Sequence, residues 1–418
     1  MRVTYLTQYF RTPRMVGGTR AYEMARRLVD RGHEVTVVSG SPGADLLDGD
    51  TTTDEDGVTV RWLPVLCDNQ MSFQARMRAF ASFATRASSV AARLRHDLVF
   101  ATSTPLTIAV PGVVAARRRG APMVLEVRDL WPQLPIDFGA LRSPVSRRAA
   151  FALESWAYRN AASVIALTPG IVDSIRDRFP GSQVHLVPNG ADLELFDVDA
   201  GQTAALRQRH SWLGDRPVIL YAGTVGLANG VDYLVRVAEQ LGRHDHRAAV
   251  VIVGGGGELD AVRRQAAASG VLDRNLFVVG QVSKQEVPAW LSTASMAVSC
   301  LRDLPSLQGS APNKVFDALA AGRPVAVNYG GWLTDQLVDA GAGIHLPPHD
   351  PAEGARRLAE LIGAPDRLRS ARAAAARLGG ERFNRDYLFE QFHAVLLAAA
   401  GSPDSGQRSA LAASRGAR

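Results

Sequence analysis

Lys314 and Asp317 stand three residues apart in the stretch Ser310-Ala311-Pro312-Asn313-Lys314-Val315-Phe316-Asp317, which runs on through Ala318-Leu319-Ala320-Ala321-Gly322-Arg323-Pro324. That spacing puts both charges on one face of a helix's first turn. The stretch follows an apolar, strand-like run from Met296 to Leu301 and a polar loop. A helix N-terminus favours anions, so Asn313 and Lys314 there could grip a diphosphate while Asp317 accepts ribose hydroxyls. The same two residues also read as a surface ion pair, which contributes little to stability.

Other chemistry-bearing residues fall at the ends of predicted strands. Met123 to Val127 leads into Arg128-Asp129-Leu130-Trp131-Pro132. Arg128 there could bind phosphate, and Asp129 could hold a hydroxyl or act on a proton. The alternative is a structural Arg–Asp pair. Ser103-Thr104-Pro105 ends another strand, where either hydroxyl could meet an acceptor or cap the following helix. Gly17-Gly18 precedes a helix beginning at Thr19, and glycines there let backbone N–H groups approach a phosphate or a sugar. In Tyr221-Ala222-Gly223-Thr224-Val225-Gly226, Gly223 and Thr224 are placed to meet a diphosphate. Asn189-Gly190 reads by default as a turn. The dinucleotide fingerprint G-x-G-x-x-G is absent after the first strand, and Gly254-Gly255-Gly256-Gly257 lacks its third glycine, which disfavours a dehydrogenase.

The elements that must position these residues alternate regularly. Strands are predicted at Val3 to Thr7, Glu34 to Ser39, Val58 to Val65, Leu98 to Thr102, Met123 to Val127, Ser163 to Leu167 and Val184 to Val187. A second series follows at Val218 to Ala222, Ala249 to Val253, Leu276 to Val279, Met296 to Cys300, Val325 to Asn328 and Ile344 to Leu346. Helical patterns separate them, one from Thr19 to Arg31 carrying Ala21, Met24, Ala25 and Leu28 on one face. The reading is α/β: two Rossmann-like, doubly wound parallel-sheet domains. The boundaries are 1–190 for the first domain, 191–214 for a polar linker, 215–380 for the second, 381–400 for a closing helix and 401–418 for a disordered tail. Open parallel sheets bind ligands beyond the carboxyl ends of their strands, so two such domains are expected to face each other across a cleft.

Composition narrows the class. The 418 residues are 46% hydrophobic and 21% charged, a globular balance long enough for two cores. Cys67 and Cys300 are too few for a disulfide framework. No signal-peptide pattern opens the chain, and no apolar run approaches the ~20 residues that span a bilayer. A cytoplasmic location is expected. The net charge of +6 fits phosphate-bearing substrates, an anionic membrane or nucleic acid, but no nucleic-acid motif accompanies it. From Met71 to Arg95, Phe73, Met77, Phe80 and Phe83 interleave with Arg76, Arg78, Arg86, Arg93 and Arg95. That segment is either an amphipathic helix on anionic lipid, at the inner face of the plasma membrane, or a helix packed on the sheet.

Together these segments resemble the family-4 retaining glycosyltransferases of the GT-B fold, over about Met1 to Ala400. The resemblance is carried by Gly17-Gly18 with Gly32-His33-Glu34-Val35-Thr36-Val37, Val187-Pro188-Asn189-Gly190-Ala191-Asp192, Tyr221-Ala222-Gly223, Val253-Gly254-Gly255-Gly256 and Leu319-Ala320-Ala321-Gly322-Arg323-Pro324. Val127 to Pro132 and Ser310 to Asp317 are similar to a bacterial surface-polysaccharide subgroup, the N-acetyl-L-fucosamine and colanic-acid transferases. The resemblance implies an acceptor-binding first domain and a nucleotide-sugar-binding second domain. It further implies transfer with retention from a donor, commonly UDP-linked, to a glycan or polyprenyl-linked acceptor. Departures are visible. The family's two glutamates fall at Gly309 and Asp317, its diphosphate-binding Arg and Lys at Thr224 and Asn229, and its histidine at or near Arg128.

With those cations gone, Lys314 and Arg128 are the expected replacements on the diphosphate, aided by the N–H groups of Gly17 and Gly18. Asp129 is expected to orient the acceptor or sugar, with Ser103 and Thr104 on the acceptor. No Asp-x-Asp ends a strand, and Asp54-Glu55-Asp56 is read as a polar loop, so no metal and no cofactor are expected. Two other readings stand beside this one: a sugar-nucleotide epimerase on the same fold, and a non-catalytic membrane-associated scaffold.

Overall fold

The computed structural model describes residues 1–43, 48–66, 71, 73–243 and 247–401, and for Phe73 the backbone only. Cys67, the Phe73 side chain and the predicted tail beyond Gly401 lie outside what is described.

The chain divides into two compact units. In the first, the strands are β1 (Arg2–Thr7), β2 (Glu34–Ser41), β3 (Thr51–Glu55), β4 (Val58–Leu66), β5 (Leu98–Thr102), β6 (Met123–Val127), β7 (Ser163–Ala166) and β8 (Val184–Leu186). They form one sheet in the order β3-β4-β2-β1-β5-β6-β7-β8, parallel throughout except for the antiparallel edge strand β3. In the second, β9 (Val218–Ala222), β10 (Ala249–Val253), β11 (Leu276–Gly280), β12 (Met296–Ser299), β13 (Val325–Val327) and β14 (Gly343–His345) form a parallel sheet in the order β11-β10-β9-β12-β13-β14.

The central strands are buried on both faces, as continuous apolar runs such as Leu98–Thr102 and Ala249–Val253 require. Helices supply that cover. Arg20–Asp30 buries Ala21, Met24, Ala25 and Leu28, the predicted apolar face. Asp232–Arg243 buries Tyr233, Leu234, Val237 and Leu241 in the second unit's core. The strand order reverses direction at β1/β5 in one sheet and at β9/β12 in the other. Such a switch point parts the loops at the carboxyl ends and leaves room for a ligand.

Four expectations need correction. Asp54 and Glu55 lie in the edge strand β3, and Asp56 occupies the tight turn to β4 with φ of 54°, where Tyr22 donates to its carboxylate. The segment 191–214 is no linker. It contains the helix Ala200–Arg209 and belongs to the second unit, because Phe196, Leu206 and Leu213 are buried. The last helix is Arg385–Gly401, and a separate helix, Pro365–Arg382, precedes it. The break occurs where Ala191 donates to the Phe383 carbonyl at 3.0 Å and accepts from Arg385 N–H at 3.1 Å, taking backbone groups that a continuous helix would use itself. A Cβ on Gly190 would come within 2.5 Å of the Phe383 oxygen, so this close approach, rather than a turn, explains the glycine.

The fourth correction concerns the boundaries. One unit is 1–188 with the chain from Phe389 onward, and the other is 189–388. The last helix therefore returns to the first unit. There Phe392 packs edge-on against Phe100 with ring centroids 4.9 Å apart, and His393 Nε2 lies 2.7 Å from His33 Nε2.

Candidate active site

In the first unit the predicted residues collect at the carboxyl end of the sheet. Ser103 and Thr104 follow β5, and Arg128 and Asp129 follow its neighbour β6. Ser103 Oγ accepts from the Arg128 N–H at 3.0 Å, and Thr104 Oγ1 donates to Asp129 Oδ2 at 2.9 Å. The two hydroxyls thus brace the β6 loop and do not cap a helix; Pro105 occupies the cap position of the 3-10 turn that follows. Among the described residues Arg128 and Asp129 form no ion pair with each other, and the Arg128 guanidinium has no hydrogen-bond partner. Gly17 and Gly18 are exposed in the loop between β1 and the helix Arg20–Asp30.

Sequence reasoning missed what holds this edge together. Arg20 and Glu126 form an ion pair at 2.8 Å with side chains 2% and 1% exposed. Burial pushes the Glu126 carboxyl up, but the Arg20 guanidinium and the Thr102 hydroxyl outweigh that and hold it below the usual carboxylate range. The available signal was a glutamate inside the otherwise apolar strand Met123–Val127.

In the second unit Lys314 sits near the start of the helix Asn313–Ala320. Its Nζ donates to Tyr221 Oη at 2.6 Å and lies 4.1 Å from the centre of the Tyr221 ring, a cation–π contact. Burial pushes the ammonium down to about 8. Tyr221, buried and therefore held protonated, passes its own hydrogen to the Thr224 carbonyl at 2.6 Å. Lys314 thereby underpins the exposed loop containing Gly223 and Thr224. An ammonium has three N–H donors, and among the described residues this one uses a single donor.

Gly254 permits the arrangement from the other side. With φ of 153° it lies so close that a Cβ there would meet the Gly223 oxygen at 1.8 Å. Gly255 accepts from Val225 N–H at 2.8 Å, which fastens the two loops.

Asp317 does not pair with Lys314. Its Oδ2 accepts from Lys284 Nζ at 2.6 Å, and that ammonium also lies 5.6 Å from the centre of the Phe196 ring. The alternative reading, an ion pair within one helical turn, is not realised; the partner of Asp317 lies 33 residues back in the chain. Asn313 shares the first turn with Lys314.

Residues 17–190 match the family described as Glycosyl transferase 4-like domain, and residues 216–364 match Glycosyl transferases group 1. The chain belongs to the family-4 class of GT-B glycosyltransferases. It is 28% identical to the alpha-D-kanosaminyltransferase of Streptomyces kanamyceticus over 62% of this chain and 66% of that one, just under two thirds of the relative's length. It is 27% identical to a D-inositol 3-phosphate glycosyltransferase of Salinispora tropica over 90% of this chain and 79% of that one. Its fold is similar to that of Anabaena HepE, solved with UDP and glucose, with a TM-score of 0.71 at 18% identity over 95% of this chain and 100% of that one.

Two of the departures that the resemblance implies can be placed in the fold. Asn229, in the place of a cation, accepts from the Gly226 N–H at 3.4 Å and so shapes its own loop. Gly309, in the place of the first glutamate, is exposed.

The basic helix is resolved in favour of packing. Phe73–Arg93 buries Phe80 and Phe83 in the first unit, and Phe80 meets Trp131 edge-on at 6.4 Å. Its apolar face is used inside the fold, while Arg78, Arg86, Arg93 and Arg95 are exposed. One of the two motives for a membrane scaffold goes with it; the other is the glutamate replaced by Gly309. Among the described residues no helix is long and apolar enough to cross a membrane.

Proposed function

We propose that this glycosyltransferase moves a sugar, with retention at the anomeric carbon and without a metal ion, from a nucleotide diphosphate to a hydroxyl. The donor is read as a UDP-sugar and the acceptor as a glycan or polyprenyl-linked sugar of surface-polysaccharide or glycoconjugate synthesis, in the manner of the fucosamine and colanic-acid transferases. One observation carries the reading. Lys314 is a desolvated ammonium beneath the Gly223-Thr224 loop, and among the described residues two of its three N–H donors are uncommitted.

Transfer with retention passes through an oxocarbenium-like state, and the principal demand is stabilising charge on the departing diphosphate. Lys314 meets that demand with a fixed cation in a site of low polarity, where it acts more strongly than in water. The leaving phosphate can itself take the acceptor's proton, so no separate base is needed. Asp129, held by Thr104, then orients the acceptor, with Ser103 fixing the backbone of Arg128 beside it. Asp317 retains one oxygen beyond its bond to Lys284 for a ribose hydroxyl.

The test is a panel of UDP-, dTDP- and GDP-sugars, measured for binding and slow hydrolysis with EDTA present. Binding of a UDP-sugar that persists in EDTA is expected. No binding of any donor overturns the reading, and hydrolysis that EDTA abolishes overturns metal independence.

A further inference from the structure

Four segments of the first unit meet at one buried ion pair, Arg20 and Glu126. Arg20 donates to Glu126 Oε1 through Nε at 3.1 Å and Nη2 at 2.8 Å. The same guanidinium donates to the Pro188 carbonyl at 3.0 Å and the Val187 carbonyl at 3.3 Å. The other carboxylate oxygen, Oε2, accepts from Thr102 Oγ1 at 2.6 Å. Each partner adjoins a candidate site segment. Arg20 follows Gly17-Gly18-Thr19, Thr102 precedes Ser103-Thr104, and Glu126 stands two residues before Arg128.

Stability alone does not account for such a pair. Two charges this deeply buried lose their hydration, and apolar side chains of similar size often hold a fold as well or better. What an apolar pair does not supply is direction. A guanidinium that gives two N–H bonds to one carboxylate oxygen and two more to carbonyls fixes distances and angles among the segments it joins. Here it joins β6, the end of β5, the first turn of Arg20–Asp30 and the stretch after β8.

We propose that Arg20 and Glu126 are positioning residues, setting Ser103-Thr104 and Arg128-Asp129 in the geometry that presents an acceptor hydroxyl for transfer. This inference rests on the transfer reading above. It differs from that reading in assigning the orientation to a buried pair that touches no substrate.

The experiment uses the full-length protein with two changes. Thr102→Val removes one arm and leaves the ion pair. The double variant Arg20→Met with Glu126→Leu removes both charges together, avoiding the unpaired buried charge that either single change would leave. Both are expected to bind UDP in calorimetry as the wild type does. In the double variant, transfer from the UDP-sugar chosen by the panel to p-nitrophenyl monosaccharides should fall on the order of 100-fold in kcat, the scale of a ~1 Å misplacement. Thr102→Val should show a smaller loss in kcat with KM for the donor unchanged. Amide hydrogen exchange at Ser103, Thr104, Arg128 and Asp129 should accelerate in both.

A folded double variant that transfers at the wild-type rate overturns the proposal, as does unchanged exchange at those four amides. If the wild-type protein binds no nucleotide sugar, the transfer reading falls. The exchange data then still decide whether the pair positions these loops.

Discussion

The first unit holds a buried charge pair that is fully answered: Arg20 and Glu126 satisfy one another, Thr102 and two carbonyls. In the second unit burial also disfavours the Lys314 charge, yet among the described residues its hydrogen-bond partner is the Tyr221 phenol, whose ring it also faces. A paired charge is committed to the framework. A desolvated cation without a carboxylate is held at a higher free energy and is ready for an anion. On the proposed function, the contrast distinguishes a charge that shapes a site from one that meets the ligand.

The largest expected effect comes from breaking the committed pair on one side. Arg20→Met should cost ~3–5 kcal/mol in denaturant unfolding, because Glu126 is left buried and ionised. The acid limb tests the same point. Glu126 is held below its ordinary 4.5, so its contribution is fully present above that pH and is lost as the pH falls through the lowered value. A cost below ~1 kcal/mol would place Arg20–Glu126 with exposed pairs and erase the contrast.

Lys314 should behave in the opposite sense. Lys314→Met should leave the fold as stable as the wild type or more so, while UDP affinity in calorimetry drops ~10–100-fold, the scale of ~1.5–3 kcal/mol for a charge-assisted hydrogen bond. The pH dependence has a definite sign. The folded value lies at about 8 against an ordinary 10.5, so the unfavourable burial of charge acts below about 8 and is relieved as the pH rises toward 10.5. UDP binding should move the other way, weakening as the pH rises through about 8 and the ammonium is lost. A flat UDP affinity from pH 7 to 9 would remove Lys314 from the diphosphate.

The smallest effect belongs to the brace between hydroxyl and acid. Thr104→Val should cost transfer ~2- to 10-fold through the acceptor, with UDP binding unchanged, as loss of one hydrogen bond worth ~0.5–1.5 kcal/mol predicts. An effect on UDP instead would reassign Asp129 to the donor.

How far these contrasts could be read in advance depended on distance along the chain. The parallel strands were legible because buried runs such as Val250 to Val253 are apolar without alternation. The positions of Arg128 and Asp129 at a strand end, and of Lys314 at the start of the helix after the next loop, followed from that. Their partners did not. Nothing local to Asp317 indicates Lys284, and nothing local to Lys314 indicates Tyr221, 93 residues earlier. The stretch 191–214 looked like a linker because its helix Ala200–Arg209 buries only Leu206, too little periodicity to register. The basic helix was ambiguous since an apolar face has the same sequence pattern whether it meets lipid or a sheet. Glu126 was the overlooked clue, a charge within a strand otherwise fit for a core.

The route of the chain has a consequence for its birth on the ribosome. The second unit is one unbroken stretch, 189–388, whereas the first is 1–188 completed by residues from Phe389 onward. The part synthesised first is therefore finished last. Until Phe392 emerges, Phe100 lacks the ring that covers it in the native fold. A nascent chain halted at residue 388 would carry a whole second unit beside an incomplete first one, and a chaperone that senses uncovered aromatic surface would find it there.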